Sequence, residues 1–316
     1  MRSSEPVEGR APRWVRRVYV ANLVAQGAIV VTGAVVRLTG SGLGCPTWPQ
    51  CTEGSFVPTA TQVEGFHKLI EFGNRLLTFV LALLAIAAIV AALVDAARRR
   101  TSGLPARPGL TRLAVVPFVG TLIQAVLGGV TVLTGLSPVV VGAHFLLSMV
   151  LVAACTVLVR RAGEPADAPR TRVVSSGIHA GIGALTGVMA AVVVVGVLVT
   201  ASGPHAGDAD TPRLGLDPQT VSWLHADLVF LAIGLLGGLI VALRATGAPP
   251  EVAHWAVVVL LLFLGQAGVG YVQYFTGLPW VLVAVHVLGA VVVWWATVRL
   301  LLSTHAVHAV PATADL

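Results

Sequence analysis

Four of the nine histidines in this chain are the side chains best placed to do chemistry. His67, His144, His225 and His286 each fall near the start of a long apolar run. An ionisable side chain at membrane depth is rare and costly, and it marks function by default. For one such histidine a hydrogen bond between helices is an equal explanation. Four in the outer half of the membrane or at its outer edge, two of them related by an internal repeat, point instead to ligation. Imidazoles presented from facing helices of a bundle suit a porphyrin iron. Zinc suits the pair His225 and His286 less well, because no cysteine or carboxylate beside them completes a tetrahedral set. A proton relay is the third use, with Glu71 as its acidic member. His179, His254, His305 and His308 fall at the opposite span ends or in the tail, and His205 falls in a loop. Solvated imidazole is the expectation for the four at span ends or in the tail.

The elements that position the four are membrane spans. Hydrophobic residues make up 56% of the 316-residue chain and charged residues 11%, with mean hydropathy +0.88. A soluble domain carries about 25% charged residues, so this chain has too few to cover a water-facing surface. Apolar runs of the roughly 20 residues that cross a bilayer lie near 15–38, 69–94, 112–134, 138–159, 173–200, 221–243, 252–275 and 279–302. The first reads as a span rather than a cleavable signal peptide, since Arg37 and a polar loop follow it. The net charge of +6 does not imply nucleic acid, because the arginines sit in short stretches between spans. Arg10 to Arg17, Arg98 to Arg112, Arg160 to Arg172 and Arg244 share one side. The positive-inside rule makes that side cytoplasmic, with both termini on it. The expected location is the plasma membrane, in contact with lipid on all outer faces.

A repeat organises the spans. A shift of 142 places Gln124 on Gln266, Gly128 on Gly270, Thr134-Gly135-Leu136 on Thr276-Gly277-Leu278, and His144 on His286. Likewise Leu38-Thr39-Gly40-Ser41-Gly42 echoes Val199-Thr200-Ala201-Ser202-Gly203. Four spans per copy give both halves the same orientation, with a pseudo-symmetry axis along the membrane normal. The expected fold is an all-α integral membrane protein of eight transmembrane helices in two pseudo-symmetric four-helix bundles, residues 1–162 and 163–316.

Two of the three cysteines lie in the first outer loop, in Cys45-Pro-Thr-Trp-Pro-Gln-Cys51. That side permits disulfides, and the short, proline-bent spacing can bring the sulfurs together. Two unrelated thiols are the alternative. Cys155, within a span, is expected only to pack.

Taken in order along the chain, these motifs resemble the heme A synthases. The likeness rests on Thr39-Gly40-Ser41-Gly42 leading to Cys45, Trp48-Pro49 and Cys51; on Glu71 opening the second span; on Gly203-Pro204-His205-Ala206-Gly207-Asp208; and on the histidines of spans four, six and eight. The resemblance implies oxidation of the C8 methyl of heme o to the formyl group of heme a, for terminal oxidase assembly. It implies heme b as cofactor in the C-terminal bundle, on His225 and His286. It puts the heme o substrate in the N-terminal bundle, with Glu71 as the functional acid and Cys45/Cys51 as the outer-loop pair. Heme o synthase, terminal oxidase assembly factors and an electron acceptor are the implied partners.

One position departs from the family. Its second-span motif is Glu-x-x-His-Arg, whereas this chain reads Glu71-Phe72-Gly73-Asn74-Arg75. A shift of 151 aligns Asn74 with His225 and Phe79 with Phe230. Asparagine is a poor iron ligand, which leaves His144 as the firm ligand of the N-terminal site. His67, seven residues before Asn74, is on the same helical face about 10 Å nearer the outer surface. It is a candidate substitute ligand, propionate partner or gate. Arg75 is expected either to pair with a heme propionate or to reach the surface. Glu71 either shuttles protons or pairs with Arg75 or Lys68. A diheme b-type cytochrome that carries electrons without modifying heme is the leading alternative function, and a transporter is the third.

Overall fold

Proline opens four of the spans. Pro108, Pro138, Pro218 and Pro250 occupy the first turns of their helices, where the missing N–H costs nothing and the fixed φ is already helical. In the computed structural model, which describes residues 10–165, 169–208 and 210–307, the helices are α1 (Arg13–Leu38), α2 (His67–Thr101), α3 (Pro108–Leu133), α4 (Pro138–Ala162), α5 (Ser176–Ser202), α6 (Pro218–Ala245), α7 (Pro250–Phe275) and α8 (Trp280–Ser303). All eight are long and apolar enough to cross a membrane. His308 lies outside the described residues.

The helices end by a shared device. After α3 and after α7 the chain runs Thr-Gly-Leu, and both the glycine and the leucine take positive φ: 60° and 60° at Gly135 and Leu136, 78° and 59° at Gly277 and Leu278. The leucine N–H then donates to a carbonyl of the last turn, Leu136 to Thr131 at 2.8 Å and Leu278 to Gln273 at 2.7 Å. Left-handed leucine is strained. That it recurs at both repeat-related positions makes it a property of the repeat.

Two departures from the sequence reading stand out. Helix α2 runs seven residues past its apolar stretch, to Thr101, because Asp95 and Arg99 pair one turn apart at 3.1 Å and are both buried. In addition, two three-residue strands, β1 (Arg170–Arg172) and β2 (His305–Val307), pair antiparallel on the arginine-rich side. They tie the start of the second half to the end of α8.

Each of α1 to α4 packs on its neighbours in a closed ring, as do α5 to α8, and the two bundles meet through α1, α4 and α8 with a smaller contribution from α5. Val30, Met149, Val152 and Val291 form the core between the bundles, where Trp294 Nε1 donates to the Met149 carbonyl at 2.8 Å. Outward faces carry large exposed apolar groups such as Leu83, Phe230 and Phe275. Water would not tolerate so continuous an apolar surface, and lipid does.

Candidate functional site

Four positions sit at matching depth in the even helices. Asn74, His144, His225 and His286 are the eighth, seventh, eighth and seventh residues of α2, α4, α6 and α8. At 1.5 Å per residue, each lies about 10 Å in from the start of its helix.

In the second bundle the imidazoles of His225 and His286 face each other, with ring centres 6.4 Å apart and planes at 62°. With metal–nitrogen bonds of about 2 Å and each ring centre roughly 1 Å behind its nitrogen, two imidazoles across one metal stand about 6 Å apart. Among the described residues no cluster of three or more His, Cys, Asp or Glu could hold a bare ion. The pair therefore fits a metal that brings its own equatorial ligands, as heme iron does.

Glycine makes room for each ring. A β-carbon added at Gly196 of α5 would stand 3.1 Å from His225 Cε1, and one added at Gly270 of α7 would stand 3.2 Å from His286 Cε1. Gly128 of α3 stands in the same relation to His144, at 3.4 Å. Four residues before two of these glycines, a glutamine grips the histidine's own helix. Gln124 Nε2 donates to the His144 carbonyl at 3.0 Å and Gln266 Nε2 to the His286 carbonyl at 2.6 Å. The repeated Gln-x-x-x-Gly was visible in the sequence, but its role was not.

Hydrogen bonding separates these histidines from the others. The Nδ1 atoms of His144 and His286 are buried without a protein partner, and the His225 ring has only the Val192 carbonyl of α5 beside it. By contrast, His67 bonds Ser41 Oγ at 2.8 Å, His205 the Leu278 carbonyl at 2.9 Å, and His179 Thr304 Oγ1 at 3.0 Å. An unpartnered buried polar atom is costly, and an imidazole kept free of the protein remains available to a ligand.

The first bundle repeats this frame with one change. Asn74 faces α1, where Thr32 Oγ1 donates to its Oδ1 at 2.8 Å and a β-carbon on Gly33 would lie 3.9 Å from its Nδ2. His225 faces Gly196 of α5 in the equivalent way. The carboxamide thus occupies the histidine's place and is held against the helix wall.

Above this bundle lies the loop closed by the Cys45–Cys51 disulfide. Cys155 is free and buried. Glu71 and Arg75 fasten the loop from below. The Cys45 N–H donates to Glu71 Oε2 at 2.7 Å, and Arg75 pairs with Glu71 Oε1 at 2.6 Å. Arg75 also donates to the carbonyls of Cys45, Thr47 and Gln50 at 2.7, 3.0 and 3.1 Å. Lys68 Nζ holds the Thr59 carbonyl instead of Glu71. Trp48 from the same loop lies against Gly129 of α3.

His67 is the first residue of α2, and its Ser41 partner is fully buried. Sequence reasoning did not foresee this bond, nor a second one that joins the two halves. Arg37 Nη1 donates to the His205 carbonyl at 2.8 Å, and the Gly42 N–H to the Gly207 carbonyl at 2.9 Å. Both glycines pack on Leu136, one of the two left-handed leucines.

Comparison with known proteins gives a consistent result. A family model described as cytochrome oxidase assembly protein, COX15-CtaA, matches residues 16–298. A heme A synthase of Bacillus cereus (strain 03BB102) is 27% identical over 272 residues, covering 82% of this chain and 83% of its own. A heme A synthase of Listeria welshimeri is 31% identical over 140 residues, covering 44% of this chain and 42% of its own.

Proposed function

The chain belongs to the COX15-CtaA family of cytochrome oxidase assembly proteins, and we propose that it is a heme A synthase that oxidises the C8 methyl of heme o to the formyl group of heme a. The observation that carries this reading is the pair of imidazoles facing each other in the second bundle, in a frame that the first bundle repeats around His144. The second presents two facing imidazoles, whereas the first carries His144 and, at the place equivalent to His225, an asparagine bonded to Thr32. A resident cofactor is best held by two ligands, and a substrate that must leave is best held by one.

On this reading His225 and His286 hold a b-type heme, which supplies one-electron transfer. Heme o sits in the first bundle on His144, with the Asn74 amide beside it. Glu71 handles protons there. Its carboxylate also accepts the Cys45 N–H and pairs with Arg75, so a proton on Glu71 would weaken the hold on the loop. Arg75, committed to loop carbonyls as well as to Glu71, shapes the entrance and reaches a propionate only by exchanging one of those bonds. His67, held by Ser41 at the helix mouth, stands at the entrance to the site. The arginine-rich end faces the cytoplasm and the disulfide loop faces outward, in the plasma membrane.

The test is co-expression with a heme o source, followed by pyridine hemochrome analysis of the membranes. Heme a is the expected product. A purified protein carrying only b-type heme, from membranes rich in heme o and free of heme a, would replace this reading with the electron carrier.

A further inference from the structure

Helix α1 carries a stripe that its counterpart α5 lacks. The buried residues of α1 include Val15, Tyr19, Asn22 and Gln26, and those of α5 include Ile178, Ile182, Leu185 and Met189. A shift of 163 superposes the two sets and also places Gly33 on Gly196. Three apolar core residues of the second bundle are thus a phenol and two carboxamides in the first. The pattern extends to α3, where Thr121 takes the place of the buried Phe263 of α7.

These groups are only partly satisfied. Gln26 Nε2 donates to Thr121 Oγ1 at 3.1 Å. Tyr19 and Asn22 are both 0% exposed, yet the Tyr19 hydroxyl and both polar atoms of the Asn22 amide have no partner among the described residues. Apolar residues fit these places in the second bundle, so packing does not require the polar ones. Unpartnered polar groups in a dry core are destabilising. Water is the small group that completes such sets, given several polar partners.

The stripe has two ends. Tyr19 packs with Ala91 and Ala92 of α2, one turn before the buried Asp95–Arg99 pair at the arginine-rich end. Three residues beyond Thr121, Gln124 donates to Ser148 Oγ at 2.6 Å and to the His144 carbonyl. Successive members are three or four residues apart on their helices, or about 4.5–6 Å along the axis, a gap that one water bridges.

We propose that Asp95, Tyr19, Asn22, Gln26, Thr121 and Gln124 line a file of buried water that exchanges protons between the His144 site and the arginine-rich end. The water file rests on geometry alone, and its use for protons rests on the oxidation reading above. Oxidising carbon–hydrogen bonds changes the proton count at a site enclosed by apolar helices. Charge does not cross such a core without a polar path. The second bundle, which on that reading passes only electrons, is packed with Ile182, Leu185 and Met189 at the same places.

Radiolytic hydroxyl labelling of the purified full-length protein tests the file directly, since buried side chains are labelled only where water is bound beside them. Tyr19 is expected to be labelled faster than Met189, the intrinsically more reactive side chain at similar burial in the second bundle. Tyr19 labelling no faster than that of Met189 would overturn the file. For the proton role, Asn22→Leu transplants the second bundle's own residue and Asn22→Ser keeps a polar group. Asn22→Leu is expected to lower heme a formation at least tenfold and to suppress Tyr19 labelling, with the low-spin heme spectrum unchanged. Asn22→Ser is expected to stay within about threefold of the parent. Full turnover in Asn22→Leu would overturn the proton role. A parent protein that labels at Tyr19 and forms no heme a would overturn the oxidation reading, and the proton traffic with it, while the water file stood.

Discussion

Arg75 Nη2 stands 2.6 Å from Glu71 Oε1, and the same guanidinium gathers three carbonyls of the Cys45–Cys51 loop. The two residues, one turn apart on α2, therefore hold the loop over the first bundle as a unit. Glu71 contributes a negative charge and an acceptor for the Cys45 N–H, and Arg75 contributes the donors that peptide carbonyls need.

Removing one partner leaves the other charge uncompensated at the edge of the membrane. Arg75→Ala is expected to destabilise the protein by about 2–4 kcal/mol, read as a lower unfolding temperature in detergent. The loop between residues 45 and 66 should also become sensitive to protease. Glu71→Gln keeps an acceptor for Cys45 and should cost less stability than Arg75→Ala, while lowering heme a formation by at least tenfold. If both variants lost stability equally and kept activity, Glu71 would be a clamp and no more.

The disulfide closes a loop with a sequence separation of six, so in the chain-entropy model it contributes about 2 kcal/mol. Arg75 and Glu71 grip the same segment, so Cys45→Ser with Cys51→Ser should fold and retain the heme of the second bundle. Mass mapping without reductant should recover the Cys45–Cys51 cross-link from the parent protein. Two freely alkylated thiols would contradict the bond.

The sequence made the spans and the repeat legible, because lipid demands one composition over a fixed length and both copies obey it. What it concealed were pairings between distant segments. The arginines at 98–100 end the apolar run of α2, yet the Asp95–Arg99 pair carries the helix to Thr101. Strands β1 and β2 are three residues each and meet from positions more than 130 residues apart, so no local pattern announces them. Glu71 and Arg75 were visible as chemistry-bearing residues, and so was a pairing between them. Their hold on loop carbonyls was not, because a carbonyl is available at every residue and sequence marks none of them. Ser41 under His67 escaped for the same reason that it matters: it lies in a loop that folds back onto a helix start.

Heme retention in the second bundle should depend on glycine as well as histidine. His225→Ala and His286→Ala are each expected to abolish the low-spin spectrum of the purified protein, since a single imidazole leaves one axial position open. Gly196→Val and Gly270→Val bring side-chain carbons against the imidazoles, where even a β-carbon would lie 3.1 and 3.2 Å away. They should shift the low-spin electron paramagnetic resonance signal or lower heme occupancy severalfold, with both histidines still present. Unchanged spectra in the glycine variants would mean that the rings do not rest on these helices when heme is bound.

The asparagine of the first bundle allows the sharpest test. Asn74 sits against Gly33 and Thr32 as His225 sits against Gly196, so Asn74→His rebuilds in the first bundle the ligand pair of the second. A second strong ligand should hold heme there more tightly, and purified Asn74→His protein is expected to carry close to two hemes per chain. Release of product should slow with it, giving at least a fivefold fall in steady-state heme a formation while a single turnover remains detectable. Asn74→Ala removes only a hydrogen bond to Thr32 and should stay within about threefold of the parent. His144→Ala removes the remaining strong ligand and should abolish heme a formation, with the low-spin heme of the second bundle intact. His67→Ala then decides the mouth of the site. A loss as deep as that of His144→Ala would make His67 a ligand that leaves Ser41 when heme enters. A loss of only a few fold would leave it an entrance residue, which is the outcome its bond to a fully buried serine favours.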